Sequence, residues 1–250
     1  MKLKNILVSQ PEPADLEKSP YHDLIHKYKV NVDFRKFIKI EGVSASDFRK
    51  DKVYLKEFTA VIFTSRNAVD HFFRIAKEMR VEIPDTMKYF CISEATAFYL
   101  QKYVQFRKRK IFHGQQNFDD LVDIIRKHKE ENFLLPCSDI YKLSLIKALD
   151  DNKIKFTKAV IYKTTASDLS DVKISEYDLL VFFSPAGVKS LFVNFPEFKQ
   201  NSTLIGAFGP STHKAVLESG LKVDIEAPTK TALSMTVAIE QFIQNLNKKK

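Results

Sequence analysis

The chain has 250 residues, 40 Lys and Arg against 31 Asp and Glu, and a formal net charge of +9, which points to anionic partners. Hydrophobic residues make up 44%, enough for ordinary packed cores; tryptophan is absent, so the 21 phenylalanines must fill much of the interior. No run approaches the roughly 20 apolar residues of a membrane span, and six scattered histidines with two cysteines offer no metal-ligand spacing.

Ile6–Ser9 reads as a first strand, too soon broken by Pro11 to be a signal peptide. A helix over Tyr21–Tyr28 follows, then a mostly extended segment over Val30–Ile40. Ala60–Phe63 is a buried strand and Asn67–Met79 a helix; Tyr89–Ile92 and Glu94–Tyr103 repeat that pairing. Arg107-Lys108-Arg109-Lys110 is a dense basic run. With no recognition motif or interleaved aromatics around it, it reads as a solvated loop and not a nucleic-acid surface. A helix over Asp119–Lys129 leads to a strand over Asn132–Leu135 that runs into Pro136, and Ser138-Asp139 opens a helix to Asp150. Lys158–Thr164 is a strand. Then come strand Leu179–Phe183, helix Ala186–Phe192, strand Thr203–Phe208, helix Ser211–Ser219, strand Val223–Glu226 and a last amphipathic helix over Thr231–Asn245. Cys91 and Cys137 lie in apolar runs and read as small buried hydrophobes of a reducing, cytoplasmic compartment.

Strands alternating with helices imply parallel sheets. Runs such as Leu179-Leu180-Val181-Phe182-Phe183 suit strands covered on both faces. The chain also repeats itself. Val61-Ile62-Phe63-Thr64-Ser65-Arg66-Asn67-Ala68-Val69 is echoed by Leu180-Val181-Phe182-Phe183-Ser184-Pro185-Ala186-Gly187-Val188. Cys91-Ile92-Ser93-Glu94-Ala95-Thr96-Ala97 is echoed by Ala207-Phe208-Gly209-Pro210-Ser211-Thr212-His213. Each half thus offers two strand-to-helix turns rich in hydroxyl and small residues, at the strand ends where open α/β sheets bind ligands. The expected architecture is α/β, with two Rossmann-like or flavodoxin-like parallel-sheet domains joined by a two-stranded β linker. Residues 1–36 and 167–250 form the first, discontinuous domain and 42–158 the inserted one; 37–41 and 159–166 are hinge strands.

Three absences narrow the chemistry. There is no Gly-x4-Gly-Lys-Ser/Thr loop and no Gly-x-Gly-x-x-Gly, so the usual nucleotide signatures are missing. There is no Gly-x-Ser-x-Gly elbow to make Ser65 or Ser184 a nucleophile. No paired carboxylates announce acid–base work. What remains is a lining of hydroxyls and helix N-termini, which bind anions.

These motifs carry a resemblance. Phe63-Thr64-Ser65-x-Asn67-Ala68-Val69, Leu134-Leu135-Pro136-Cys137-Ser138 followed by Lys142, and Ile161-Tyr162-Lys163-Thr164 resemble segments of the uroporphyrinogen-III synthase family. So do Phe182-Phe183-Ser184-Pro185-Ala186-Gly187 and Ile205-Gly206-Ala207-Phe208-Gly209-Pro210-Ser211-Thr212, and the likeness covers almost the whole chain. It implies two α/β lobes joined by a two-stranded ladder. It also implies closure of hydroxymethylbilane, a linear tetrapyrrole with eight carboxylates, to uroporphyrinogen III. Loss of the terminal hydroxyl gives an azafulvene, attack at ring D gives a spiro intermediate, and reclosure inverts that ring. The substrate carries the reactivity, so the protein acts by positioning. No cofactor and no metal are implied, and the partners are the substrate and product alone, with no nucleic acid and no membrane, for a monomer.

Carried over by position, Tyr162 is the candidate for assisting departure of the hydroxyl, its alternative role being a hinge residue packed between lobes. Ser65, Asn67, Ser93, Thr96, Ser138, Lys142, Ser184, Pro185, Ala186, Gly187, Ser211 and Thr212 are the substrate-binding candidates. For Ser65, Ser184 and Thr212 the competing role is helix capping, and for Lys142 an exposed surface lysine. Ser93 and Ser138 replace turn glycines of the family, a strain if either needs positive φ. Gln10 stands where many members carry arginine. A non-catalytic two-lobed module that closes on a tetrapyrrole or another anion is the rival reading.

Overall fold

The computed structural model describes residues 3–105, 107–115, 118–141 and 143–248. In chain order the elements are β1 (Asn5–Val8), α1 (Pro20–Tyr28), β2 (Asn31–Phe34), β3 (Ile38–Gly42), α2 (Ala45–Lys50), β4 (Ala60–Phe63), α3 (Arg66–Glu78), β5 (Lys88–Cys91), α4 (Glu94–Leu100), β6 (Ile111–His113), α5 (Phe118–Arg126), β7 (Phe133–Ser138), α6 (Leu143–Asp151) and β8 (Phe156–Ala166). They continue with β9 (Leu179–Phe182), α7 (Pro185–Asn194), β10 (Leu204–Phe208), α8 (Pro210–Glu218), β11 (Ile225–Ala227) and α9 (Met235–Lys248).

Two compact units result, a terminal one from 1–39 and 165–250 and a central one from 40–164. Both divisions fall inside strands, β3 and β8, which are neighbours in one sheet; just after β3 the Val43 N–H donates to the Ile161 carbonyl of β8 (3.0 Å). The terminal unit has a five-stranded sheet in the order β11-β10-β9-β1-β2, every pair parallel. Strand alternation splits its apolar residues. Ile6, Val8, Leu179 and Val181 pack with Leu24 of α1 and Ile239 of α9. Leu7, Leu180 and Phe182 pack with Val188 of α7 and Val216 of α8. The sheet is covered on both faces, which is why these strands read as unbroken apolar runs.

The central unit has the order β3-β8-β7-β4-β5-β6. Val61 and Phe63 face α3 and α4, while Ala60 and Ile62 face α5 and α6. α3 begins where Ser65 Oγ accepts the Ala68 N–H, and it buries Ala68, Val69, Phe72, Ile75 and Ala76, an apolar stripe of helical period. Each large side chain of that stripe contributes about 1.5–3 kcal/mol by burial.

Several elements differ from the sequence reading. The extended segment 30–40 is two strands, β2 and β3, in different sheets. Pro136 lies inside β7, which continues to Ser138. Pairing with β4 covers only Phe133 and Leu134, so the missing N–H of Pro136 costs no ladder bond on that side. Ser138 and Asp139 close a tight turn, with Ser138 Oγ accepting the Ile140 N–H at 3.3 Å, and α6 starts only at Leu143. The last helix starts at Met235, not Thr231. α2 and β6, of six and three residues, carried too little periodicity to be anticipated.

Phe72 is 1% exposed at the centre of the α3 face. Phe72→Ala should lower the unfolding free energy by about 3–5 kcal/mol in urea titration, whereas Val193→Ala, at a residue 69% exposed, should stay within about 0.5 kcal/mol of wild type.

Candidate functional site

In a doubly wound sheet the ligand crevice opens outside the carboxyl ends of the strands, where the chain order reverses direction. In the central unit this point lies between β4 and β7. Ser65 follows β4, Ser138 ends β7, and Tyr162 of β8 stands opposite Ser138. Tyr162 reaches that register through a β-bulge: Cys137 pairs with Val160, yet Ser138 pairs with Tyr162. The Tyr162 hydroxyl lies 3.1 Å from Ser65 Oγ. A cavity of about 210 Å³ opens here, lined by Thr64, Ile92, Cys137, Ser138, Tyr141 and Tyr162 among others.

The turn after β7 is fastened to β8. Asp139 Oδ1 accepts from Ser138 Oγ (2.8 Å) and from the Thr164 N–H (3.0 Å), and the Asp139 N–H donates to the Tyr162 carbonyl (3.2 Å). The Tyr162 ring packs within the central unit's core, 7% exposed. Burial pushes its phenol above the ordinary tyrosine value; the Ser65 bond opposes that rise, while Cys137 and Asp139 add to it. Burial likewise raises the Cys137 thiol to about 11 and Cys91 to about 12, so both stay protonated and unreactive.

The second turn of this unit follows β5. Ser93 caps α4, its Oγ accepting the Thr96 N–H at 3.4 Å and lying 3.2 Å from the Thr96 hydroxyl. Ser93 has φ −147°, and Ser138 is not among the residues of positive φ, so serine in place of glycine strains neither turn. Asn67 is exposed in the first turn of α3. Lys142 lies outside the described residues.

In the terminal unit the order reverses between β1 and β9. Ser184 follows β9 and caps α7, accepting the Gly187 N–H at 3.2 Å, with Pro185 and Ala186 completing the first turn. Ser9 follows β1, and its Oγ would stand 3.5 Å from a Cβ at Gly187, with Ser184 Oγ at 3.6 Å. Glycine there leaves room between the two hydroxyls. The other turn follows β10. Gly209 has φ 85° and ψ 153°, a region open only to glycine, and it aims the start of α8. Pro210 opens the helix, Ser211 is exposed, and Thr212 is 1% exposed with no hydrogen-bond partner for its Oγ1. A buried hydroxyl without a partner ordinarily costs about 1–3 kcal/mol, and Thr165 Oγ1 is in the same position.

The sequence reading did not single out Thr64, Asp139 or Ser9. Ser9 and Thr64 had a visible signal, a hydroxyl ending a buried strand; Asp139 had none, because its role depends on β8 crossing beside β7. Among the described residues, His128, Glu130 and Glu131 bring three ligand atoms within 4.8 Å of one another. The Lys88 ammonium already sits on Glu131 and competes with a cation there.

The family model for Uroporphyrinogen-III synthase HemD matches residues 19–236. The chain belongs to the uroporphyrinogen-III synthase family. Its architecture is shared with solved structures of that name. One is uroporphyrinogen-III synthetase from Helicobacter pylori, 18% identical over 97% of this chain and 100% of that one, at a TM-score of 0.58. Another is a mutant uroporphyrinogen III synthase from Thermus thermophilus, 14% identical over 98% and 99%, at 0.51. At such identities the likeness shows the fold. No curated protein sequence matches the chain. Its reaction is the family's: closure of hydroxymethylbilane, with inversion of ring D, to uroporphyrinogen III in haem biosynthesis. The alternative of a module that only binds is not favoured.

The turn residues separate structural from ligand roles by stability. Ser65→Ala and Ser184→Ala each remove a helix cap and should lower the unfolding free energy by about 1 kcal/mol. Thr212→Val replaces an unpartnered buried hydroxyl with a methyl and should be neutral or stabilising in the same urea titration.

Proposed function

We propose that the hydroxyl-lined strand ends of each unit bind the substrate's carboxylates, and that Tyr162 assists departure of the terminal hydroxyl. The reaction is then that of a cyclising hydro-lyase. The observation that carries this reading is the Tyr162–Ser65 contact at the wall of the central unit's cavity. Electrons from the terminal pyrrole nitrogen expel the hydroxyl, that nitrogen's proton leaves with it as water to give the azafulvene, and the Tyr162 O–H donates a hydrogen bond to the departing oxygen. The raised phenol keeps that proton in place at neutral pH. Ser65 Oγ accepts the Ala68 N–H and still has its own proton to give to the Tyr162 oxygen, which in that direction strengthens the phenol as a donor. Ser93 with Thr96, Ser184 with the Ala186 N–H, and Ser211 with Thr212 supply further donors, Ser138, Pro185 and Gly187 shape the turns that hold them, and Asn67 and Lys142 complete the set. Many modest contacts fix one folded conformation of a reactive substrate, which is catalysis by orientation.

We read the chain as a monomeric cytoplasmic enzyme with no nucleic-acid partner. In support, both cysteines are free and buried, and Lys110 of the basic run is bonded internally to the Asp85 carbonyl. Among the described residues no helix is long and apolar enough to cross a membrane.

Freshly generated hydroxymethylbilane, followed by oxidation and separation of porphyrin isomers, tests the assignment. The wild type should give isomer III over the isomer I that forms without protein. Tyr162→Phe should be the most damaging single change, lowering turnover about 10²-fold, in the range of positioned proton donors. Ser65→Ala, Ser184→Ala and Thr212→Val should each reduce isomer III partially; complete loss from Ser184→Ala in a folded protein would contradict the dispersed picture. Raising salt should raise KM more than it lowers kcat, because the attraction between a +9 protein and an eight-carboxylate ligand is screened over about 8 Å at physiological ionic strength. A salt-independent KM would place the positive charge away from the site.

A further inference from the structure

Arg74 projects from α3 with its guanidinium engaged on every nitrogen. Nε donates to His71 Nδ1 at 3.0 Å and Nη1 to Glu78 Oε1 at 2.7 Å. Nη2 donates to the Val43 carbonyl at 2.8 Å and the Ile161 carbonyl at 3.1 Å. Ile161 is the extra residue of the β8 bulge. Because His71 Nδ1 accepts, the neutral ring carries its proton on Nε2. That ring stacks on Tyr162, centroids 5.1 Å apart and planes 20° apart. Gly42 of β3 leaves the space: a Cβ there would stand 2.6–2.7 Å from the Arg74 Cζ, Nε and Nη2.

We propose that Arg74 is a positioning residue for the reaction: it clamps the Ile161 bulge and the His71 ring, and through them aims the Tyr162 hydroxyl. This rests on the role given to Tyr162 above. A planar fork is required, since four acceptors, two on α3, one at Val43 just after β3 and one on β8, are met by one flat group; a lysine ammonium cannot span them. The bond to Glu78, 41% exposed, contributes little by itself. Removing the fork leaves the Ile161 carbonyl still bonded to the Val43 N–H, so the strand persists while the aim of the bulge is lost.

The clamp also has a pH signature. Burial holds His71 below its ordinary value and the Arg74 charge lowers it further, against Asp70 and Glu78 on the same helix; from β8 the facing group is Tyr162. A second proton would go onto Nδ1, where the Arg74 Nε–H already points. His71 therefore stays neutral above its lowered value, and the clamp is lost as pH falls through it. Without the arginine, His71 should take up its second proton at higher pH.

Arg74→Met, Arg74→Lys and Gly42→Ala test the assignment, with Tyr162→Phe in parallel. Gly42→Ala keeps the arginine but displaces its flexible end, so it reports on position even if Arg74→Met folds poorly. All three should lower kcat about tenfold and leave KM within about twofold, because misplacement by about an ångström acts on the reacting geometry and not on uniform binding. In NMR titration the His71 midpoint should rise in Arg74→Met, which reports that the arginine sits on the ring in solution; the loss in kcat at unchanged KM is the readout that a merely structural arginine would not produce. Wild-type kcat in Arg74→Met, full rescue by lysine, a change confined to KM, or an unmoved His71 titration would each overturn the proposal. If Tyr162→Phe is impaired while Arg74→Met is not, only the Arg74 assignment falls. If Tyr162→Phe retains the wild-type rate, the reading on which it rests falls instead.

Discussion

Parallel strands place successive side chains on opposite faces, and that alternation governs which residues of β8 can reach α3. Leu134 of β7 and Ala159 and Ile161 of β8 belong to the core under α3 and α4. Strict alternation would send Tyr162 to the other face, away from Ser65 and His71. The single extra residue at Ile161 reverses this. Ile161 and Tyr162 both enter the α3 core, and Tyr162 comes level with Ser138. The Ser65 contact, the His71 stack and the wall of the cavity all follow from that one shift of register. Bulges often re-aim a side chain beside a functional site, and here the displaced side chain is a phenol.

The capping serines show how structural and binding roles coexist on one hydroxyl. Each of Ser65, Ser93 and Ser184 accepts a backbone N–H from the helix it opens. That uses an acceptor lone pair and leaves the O–H to donate. At Ser184 the capped helix start therefore still presents a hydroxyl donor to an anion, in addition to the helix field, whereas the Ser65 hydroxyl lies against Tyr162. Pro185 and Pro210 remove one N–H from their helices, so in the terminal unit the hydroxyls count for relatively more. Thr212 differs from these serines because, among the described residues, nothing accepts or donates at its Oγ1.

Much of the fold was legible because buried parallel strands announce themselves. Runs such as Ala60–Phe63 and Leu179–Phe182 are apolar at every position, and each breaks at a serine before a helical stripe. The parallel α/β arrangement followed from their alternation with helices. What stayed hidden depends on contacts distant in sequence. Pro136 looked like a strand end, yet β4 has already parted from β7 at that point and does not need its N–H. β2 and β3 looked like one segment, since only the sheets they join separate them. The bulge has no local mark at all, and neither His71 nor Arg74 drew notice, because an α3 side chain seems merely solvated until β3 and β8 are laid across it. Of the proposed site, the hydroxyl turns were readable as strand-to-helix junctions; the grouping of Ser65, Ser138 and Tyr162 was not.

The two halves repeat their motifs without repeating their topology. Numbered within each unit, the terminal sheet runs 2-1-3-4-5 and the central one 3-2-1-4-5, counting the five strands from β4 to β8. Ser184 accordingly follows the third strand of its unit and Ser65 the first of its own. Both nevertheless stand beside the reversal point, β9 against β1 and β4 against β7. The second motif is one strand further out in both, after β10 and after β5. The echo therefore tracks distance from the reversal point and not order along the chain. The strand across that point brings a further hydroxyl, Ser9 in one unit and Ser138 in the other. A ligand whose charges are spread over many carboxylates is suited by such a layout, in which each sheet presents hydroxyls on three adjacent strand ends and no single cation dominates.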